Sequence, residues 1–173
     1  IFIDYDMAWD PQDLLTLIET PGEVVAGTYR FKKDEEDYMG NINCNAAGFP
    51  ITRDDGCISA VHVPAGFLKI TPDVVAKFMT TYPELVYGPI YHPNVDIFHH
   101  GAHKRTWYSE DYAFSRNWID AGGEIWLNPK LNLHHYDVKK DKIYNGNYHE
   151  YLLRRPGGSK YAPIADVDKR SAA

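Results

Sequence analysis

The segment Ile1-Phe2-Ile3-Asp4-Tyr5-Asp6 decides the predicted fold. Residues 1–3 are apolar and predict a buried strand, and two carboxylates stand where that strand ends. Asp10-Pro11 then indicates a helix start, because Asp is a good N-cap and proline suits the first helical turn. In open α/β sheets, side chains at the carboxyl ends of strands line the crevice that binds ligands. We therefore expect Asp4 and Asp6 in such a crevice.

The spacing of Asp4 and Asp6 lets both carboxylates reach one divalent cation, directly or through water. A hard cation of this kind keeps several waters and also binds substrate phosphates. The pair therefore predicts phosphate chemistry on a metal ion. The alternative is purely structural, since strands that end in aspartate are common.

The order of predicted elements favours an α/β fold with a mixed, mostly parallel central sheet flanked by helices. Residues 24–29 are apolar and predict a second buried strand after the first helix, and a strand–helix–strand start is typical of a parallel sheet. Further helices are predicted to begin at Pro72 and after Ser109, with strands at 57–63, 66–70, 124–127 and 131–135. Residues 83–107 form a long loop, and long loops are usually functional or disordered.

Bulk composition limits the possible functions. The 173 residues suffice for about one domain, and 44% are hydrophobic. A net charge of −6 argues against nucleic acid as a partner. Cys44 and Cys57 have no zinc or redox spacing, which fits a reducing compartment. No apolar run could span a membrane, so we expect a cytoplasmic protein. Because residue 1 is not Met and lies in a strand, we expect a piece of a longer protein.

Glu110 and Asp111 open the helix after Ser109. Acids in a first turn stabilise the helix dipole by about 0.3–1 kcal/mol, which is a sufficient structural explanation. The functional alternative is a general base, since an ionised carboxylate can accept a proton from a hydroxyl nucleophile. Trp107 and Tyr108 precede the pair, and aromatic faces beside carboxylates suit a sugar ring.

His134 and His135 lie on the last predicted strand, and strand alternation sends their imidazoles to opposite faces. His135 shares a face with Leu131 and Leu133, which predicts a half-buried structural histidine. The alternative is a third metal ligand beside the two aspartates, and neutral imidazole suits manganese better than magnesium. His99, His100 and His103 have no convincing metal spacing and are interpreted as loop residues.

Two smaller features bear on ligand binding. Gly66 precedes a predicted strand, where a glycine either allows close approach of a ligand or only serves a turn. Arg30, Lys32 and Lys33 follow the second strand. They could offset phosphate charge, although a solvated run is the favoured explanation.

Six segments in this order resemble GT-A type glycosyltransferases, specifically the family-2-like enzymes common in phage, viral and bacterial genomes. The ordered set is more specific than any one motif. The segments are Ile1-Phe2-Ile3-Asp4-Tyr5-Asp6-Met7-Ala8-Trp9-Asp10-Pro11, Val24-Val25-Ala26-Gly27-Thr28-Tyr29, Ala65-Gly66-Phe67-Leu68-Lys69-Ile70, Ser109-Glu110-Asp111-Tyr112-Ala113-Phe114-Ser115-Arg116, Gly122-Gly123-Glu124-Ile125-Trp126-Leu127-Asn128-Pro129 and Leu131-Asn132-Leu133-His134-His135.

For the donor side, the resemblance implies that Asp4 and Asp6 bind the metal, Mn²⁺ or Mg²⁺, and the diphosphate of a nucleotide-sugar. It places His135 on the metal-ligand position. We add Gly66 as a donor-binding residue on the wall of the same cleft.

For the acceptor side, the resemblance implies that Glu110 binds a carbohydrate or another hydroxyl acceptor and that Asp111 is the base of an inverting reaction. We add Trp107 and Tyr108 as acceptor-binding residues. The expected enzyme is a hexosyltransferase-like glycosyltransferase.

The resemblance covers residues 1–150, which would be the C-terminal part of a GT-A domain that lacks its first strand–helix units; residues 151–173 are expected to form a polar tail. Asp137 stands where the family often has Gly, and the absent Gln-x-x-Arg-Trp motif argues against a polymerising synthase. Two alternatives stay open. One is a haloacid-dehalogenase-like phosphatase, which also has D-x-D after an apolar strand, and the other is a non-catalytic carbohydrate-binding remnant.

Overall fold

The computed structural model describes residues 1–154 as a six-stranded mixed sheet, three smaller sheets and four α-helices. The helices are α1 (Pro11–Glu19), α2 (Pro72–Thr81), α3 (Glu110–Asp120) and α4 (Tyr148–Arg154). The strands are β1 (Phe2–Ile3), β2 (Met7–Ala8), β3 (Val24–Ala26), β4 (Asn41–Ile42), β5 (Ile58–His62), β6 (Phe67–Ile70), β7 (Val86–Tyr87), β8 (Asn94–Val95), β9 (Gly101–His103), β10 (Thr106–Tyr108), β11 (Ile125–Leu127), β12 (His134–Asp137) and β13 (Lys142–Tyr144).

The main sheet has the strand order β1-β6-β3-β11-β5-β4. A mixed sheet flanked by helices is confirmed, but the prediction of a mostly parallel sheet is wrong. Only β3 and β11 pair in parallel, and the other four neighbouring pairs are antiparallel. The strand–helix–strand start does make β1 and β3 run in the same direction, but β6 lies between them and is antiparallel to both.

Strand β1 is not the buried strand that its sequence predicts. Within the described chain it pairs only with β6, so it forms an edge of the sheet. Phe2 is 38% exposed and Ile3 is 36% exposed. The Phe2 ring packs edge-on against Phe98, with 5.1 Å between centroids. The apolar side chains of β1 therefore form a partly exposed surface next to Phe98.

The two faces of the sheet bury separate apolar clusters. Val24 and Ala26 face the side that α2 and α3 cover, with Phe78, Phe114 and Trp118. The alternate residue, Val25, faces the other side, where the cluster also contains Met7, Leu17, Tyr29, Phe67, Leu131 and Leu133. This alternation along β3 is what a strand covered on both faces requires. The sheet is thus held between helices, and its strand ends are fixed in place.

Local signals predicted α1, α2 and α3 well, because each begins where a cap or proline signal stands. The predicted loop at 83–107 contains two short hairpins, β7–β8 and β9–β10. The predicted boundary after residue 150 falls inside α4, where Leu152 is buried, so residues 151–154 belong to the folded unit. The rest of the predicted tail, 155–173, lies outside the described residues. Across the described part of the chain, the helices are too short and too polar to cross a membrane.

Candidate functional site

A cleft of about 390 Å³ opens at the carboxyl end of β3. Its polar lining consists of Asp4, Asp6, Glu110, Asp111 and His135, and we call it the acidic cleft. Its apolar lining consists of Phe2, Tyr29, Met39, Ala65 and Phe98. Residues far apart in the sequence therefore share one concave surface, at the strand ends where α/β sheets bind ligands.

Pairing between β2 and β12 brings His135 to Asp6. In the register, His135 faces Met7, and the backbone N–H of Tyr136 donates to the carbonyl oxygen of Asp6 at 2.8 Å. As a result, Nε2 of His135 lies 3.6 Å from Oδ2 of Asp6. Both side chains are largely buried, with 13% and 11% exposure. The imidazole thus turns toward Asp6, as the metal-ligand alternative for His135 requires.

A backbone hydrogen bond fixes the tautomer of His135. Its Nδ1 lies 2.8 Å from the carbonyl oxygen of Arg30. A carbonyl can only accept, so Nδ1 donates. In the neutral form of the ring, the lone pair of Nε2 then points toward Asp6. Tyr29 packs edge-on against the imidazole at 4.9 Å between centroids. Histidines that bind metals commonly have this kind of backbone support on the second nitrogen.

Lys32 reaches the same carboxylate oxygen. Its Nζ lies 2.5 Å from Oδ2 of Asp6, and its side chain is 31% exposed. Burial alone would raise the pKa of Asp6, but the hydrogen bond and the charge of Lys32 outweigh burial and lower the pKa. Asp6 is thus an ionised carboxylate that already holds one cation. Sequence reasoning favoured a solvated lysine run, and the structure gives Lys32 a specific partner.

Asp4 lies beside Gly66. The backbone N–H of Asp4 donates to the carbonyl oxygen of Gly66 at 3.0 Å. Burial, followed by the negative charge of Asp6, raises the pKa of Asp4. A Cβ on Gly66 would lie 2.7 Å from Oδ2 of Asp4 and would overlap the hydroxyl of Tyr29. Gly66 therefore lets the start of β6 lie close to both Asp4 and Tyr29 at the wall of the acidic cleft. Gly66 itself is not among the lining residues.

Asp111 and Glu110 contribute to the same cleft from the first turn of α3. The backbone N–H of Ala65 donates to Oδ2 of Asp111 at 3.2 Å. Burial raises the pKa of Asp111, the bond from Ala65 opposes that effect, and the charges of Glu110 and Asp4 add to it. A position at a helix N-terminus would by itself favour the ionised form of Asp111. The structure instead shows a carboxylate whose proton affinity is increased, which makes its ionised form a stronger base.

Two side chains of the acidic cleft are close enough to bind one divalent cation. Asp6 Oδ2 and His135 Nε2 are 3.6 Å apart, so one ion with ligand distances of about 2.0–2.2 Å can reach both. Within residues 1–154, no group of three or more His, Cys, Asp or Glu side chains is arranged to hold a metal ion. Asp6 and His135 are thus the pair that the structure brings within reach of one ion, and the role of Asp4 as a further ligand stays a prediction. The pair fits a cation that takes its other ligands from water and phosphate, as Mg²⁺ and Mn²⁺ do in many phosphate sites.

The predicted aromatic residues lie elsewhere. Trp107 is 69% exposed and, like Tyr108, is not among the residues that line the acidic cleft. Tyr108 instead packs beneath the guanidinium of Arg116, 4.4 Å from the ring centroid. The expectation that both aromatics share the cleft with the acids is wrong, because β9–β10 forms a hairpin that turns Trp107 outward. His99 bonds to Asp96 and also lies outside the lining.

Phe2 and Phe98 supply the aromatic surface that sequence reasoning assigned to Trp107 and Tyr108. Phe98 lies in the long segment after α2, where no periodic pattern marks it. The only signal was indirect, since long aromatic-rich loops often carry function. Tyr29 was likewise missed as a cleft residue, although its place just after β3 puts it at the ligand-binding end of the sheet.

Comparisons with known proteins give little further information. No protein-family model matches the sequence, and no curated protein matches it. Among solved structures, the crystal structure of A197 from STIV matches with a TM-score of 0.43 and 15% sequence identity. The match covers 84% of this chain and 64% of the other, so the chain spans less than two thirds of that structure's length.

Proposed function

We propose that this chain transfers a sugar from a nucleotide-sugar donor to a hydroxyl acceptor, as a GT-A type glycosyltransferase. The observation that carries the proposal is the composition of the acidic cleft. The pair Asp6 and His135 and the pair Glu110 and Asp111 line the same cleft. The two pairs together suit a reaction in which a diphosphate leaves the donor and a hydroxyl of the acceptor is deprotonated.

On the donor side, the excess of carboxylates favours a bound cation, which would offset charge on the departing diphosphate. Asp6 and His135 are the residues that would hold that cation. Asp4 adds negative charge nearby, and burial, followed by the charge of Asp6, raises its pKa. Tyr29 and the carbonyl of Arg30 keep the imidazole in its orientation.

On the acceptor side, Asp111 is proposed as the general base. It accepts the proton of the acceptor hydroxyl while that oxygen bonds to the anomeric carbon and the carbon–oxygen bond to the diphosphate breaks. Attack from the side opposite the leaving group inverts the anomeric centre. Glu110 is exposed beside it and binds the acceptor's other hydroxyls. Phe2 and Phe98 offer an apolar surface for the C–H face of a sugar.

A phosphomonoesterase is the second candidate, because the contact between Lys32 and Asp6 supplies a lysine beside the D-x-D pair. Glu110 and Asp111 supply the later acidic pair that a haloacid-dehalogenase-like phosphatase would also need. The two candidates differ in the bond that is broken. A glycosyltransferase breaks the bond between the anomeric carbon and the diphosphate oxygen, and a phosphatase breaks the phosphorus–oxygen bond of a phosphomonoester.

The test is to incubate the chain and its Asp6→Asn variant with Mn²⁺ and a panel of nucleotide-sugars, and in parallel with p-nitrophenyl phosphate. We expect nucleoside diphosphate release by the wild-type chain and its loss in Asp6→Asn. Cleavage of p-nitrophenyl phosphate instead would establish the phosphatase. Binding of oligosaccharides without any cleavage would establish a carbohydrate-binding module.

A further inference from the structure

Lys32 brings a cationic side chain to the donor side of the acidic cleft. Its ammonium contacts Oδ2 of Asp6, the oxygen that faces Nε2 of His135. Its charge also acts on Asp4, whose pKa it lowers against the stronger effects of burial and Asp6. Asp6 is the hydrogen-bond partner that the structure gives to Lys32. The ammonium thus contacts the carboxylate oxygen that a divalent cation shared by Asp6 and His135 would also contact.

The neighbouring basic side chains behave differently. Lys33 pairs with Asp37 at 2.8 Å and lies over the ring of Phe31. Lys142 pairs with Asp34. Both contacts are on exposed surfaces away from the acidic cleft. Lys32 is therefore distinguished from its neighbours by its partner.

An ammonium and a divalent cation cannot both be close to one carboxylate oxygen without strong repulsion, because like charges a few ångströms apart cost several kcal/mol at a protein surface. The lysine side chain is long, flexible and partly exposed, so it can leave Asp6 when another cation arrives. A diphosphate that enters with the cation offers a new anionic partner within the same cleft.

We propose that Lys32 leaves Asp6 and binds the donor's diphosphate when the donor enters the cleft. In the free protein Lys32 competes with the divalent cation for Asp6, and in the complex it contacts the leaving group. The proposal rests on the proposed function, since it assumes a diphosphate on the donor side. It assigns Lys32 two measurable effects of opposite sign. The lysine weakens binding of the cation alone and strengthens binding of the cation–diphosphate complex.

The experiment measures binding of Mn²⁺ alone by electron paramagnetic resonance, and binding of the Mn²⁺–pyrophosphate complex by calorimetry. The variants are Lys32→Met, Lys32→Arg and the matched control Lys33→Met, each checked for folding by thermal melting. We expect Lys32→Met to bind Mn²⁺ several-fold more tightly. We expect it to bind the complex roughly 10- to 100-fold more weakly, because it loses a charge-assisted hydrogen bond. Lys32→Arg should retain most of the second interaction, and Lys33→Met should match the wild type.

Three results would overturn the proposal. Unchanged binding of the complex by Lys32→Met would remove the diphosphate contact, and weaker binding of Mn²⁺ alone would show that Lys32 supports the cation site instead of competing for it. An equal loss of affinity for the complex in Lys33→Met would show that the effect comes from the net charge of the protein and not from a contact of Lys32. If the wild-type chain binds neither Mn²⁺ nor the complex, the proposed donor site itself fails, and that result differs from a failure confined to Lys32.

Discussion

Nε2 of His135 lies 3.6 Å from Oδ2 of Asp6, although the two residues stand near opposite ends of the described chain. The contact depends on one short strand pairing, β2 with β12, and on a hydrogen bond from the imidazole to the carbonyl of Arg30. Neither side chain is placed there by its own secondary structure alone. The acidic cleft is therefore assembled from segments that are distant in the sequence.

Replacing His135 by Gln tests its role on the donor side. The imidazole lone pair directed at Asp6 would be lost, and we expect Mn²⁺ affinity to fall at least about 10-fold, the smallest effect seen when only the support of a metal ligand is removed. Titration with Mn²⁺ measures the change. His134→Gln is the matched control, because His134 is the preceding residue of β12 and its Nδ1 accepts from the backbone of Gly146 outside the cleft. Equal affinities in the two variants would exclude His135 as a ligand.

Replacing Asp111 by Asn tests the proposed base. The amide keeps the size of the side chain and an acceptor for the N–H of Ala65, but it cannot take a proton. General-base catalysis contributes about 10²–10⁴-fold in rate, and we expect a loss of that order with donor binding nearly unchanged. Transfer kinetics together with donor titration provide the measurement. Asp73→Asn, at an exposed first-turn acid of α2, is the control for a helix-dipole effect. Near-normal turnover in Asp111→Asn would leave Glu110 as the remaining candidate.

The raised pKa of Asp111 also predicts how stability depends on pH. The folded chain favours the protonated carboxyl, so ionisation costs no stability below the ordinary value of 3.8 and a growing amount as pH rises from there through the folded pKa. Asp111→Asn should therefore melt at a higher temperature than the wild type at pH 7, and the difference should vanish near pH 3. Thermal melts across this range measure it.

Asp55 gives a control of opposite sign. Burial alone would raise its pKa, but the hydrogen bond from Arg53 outweighs burial and lowers the pKa. Its ionised form therefore stabilises the fold above pH 3.8, and this contribution is lost as pH falls through the lowered value. Asp55→Asn should lower the melting temperature at pH 7. If both variants shift stability in the same direction at pH 7, the electrostatic explanation for Asp111 is wrong.

Gly66→Ala tests the close approach at the cleft wall. The backbone of Gly66 lies outside the left-handed region, so alanine suffers only from the overlap of its Cβ with Tyr29 and Asp4. Overpacking of this kind costs about 1–3 kcal/mol, and we expect a loss of that size in the free energy of unfolding. Donor binding should weaken as well, because Asp4 and Tyr29 both contribute to the lining. Denaturant unfolding and donor titration measure the two effects, and unchanged values for both would show that the wall can give way freely.

Sequence reasoning succeeded where the determinants are local. The starts of α1, α2 and α3 follow from Asp10-Pro11, Thr71-Pro72 and Ser109, because caps and prolines act within one turn. The spacing of Asp4 and Asp6 and the alternation that sends His134 and His135 to opposite faces are local as well. These features need no knowledge of distant contacts.

The features that sequence reasoning missed are non-local. Nothing in the sequence indicates that β6 lies between β1 and β3, which accounts for two of the four antiparallel pairs of the sheet. The reach of Lys32 to Asp6 depends on how the segment after β3 folds back, and the outward turn of Trp107 depends on a hairpin in an aperiodic stretch. Chain topology, and not residue type, decides which aromatic residues meet the acids.

Because the acidic cleft draws on residues from Phe2 to His135, it exists only when nearly the whole described chain has folded. Any partly unfolded form that releases β12 loses the cleft, so ligands of the cleft bind the native state alone. Such a ligand must stabilise the entire cooperative unit by RT ln(1 + [L]/Kd), about 2.7 kcal/mol at a hundredfold excess over Kd. A thermal-shift screen of nucleotides and sugars would therefore detect ligands of this chain without any assay of its chemistry.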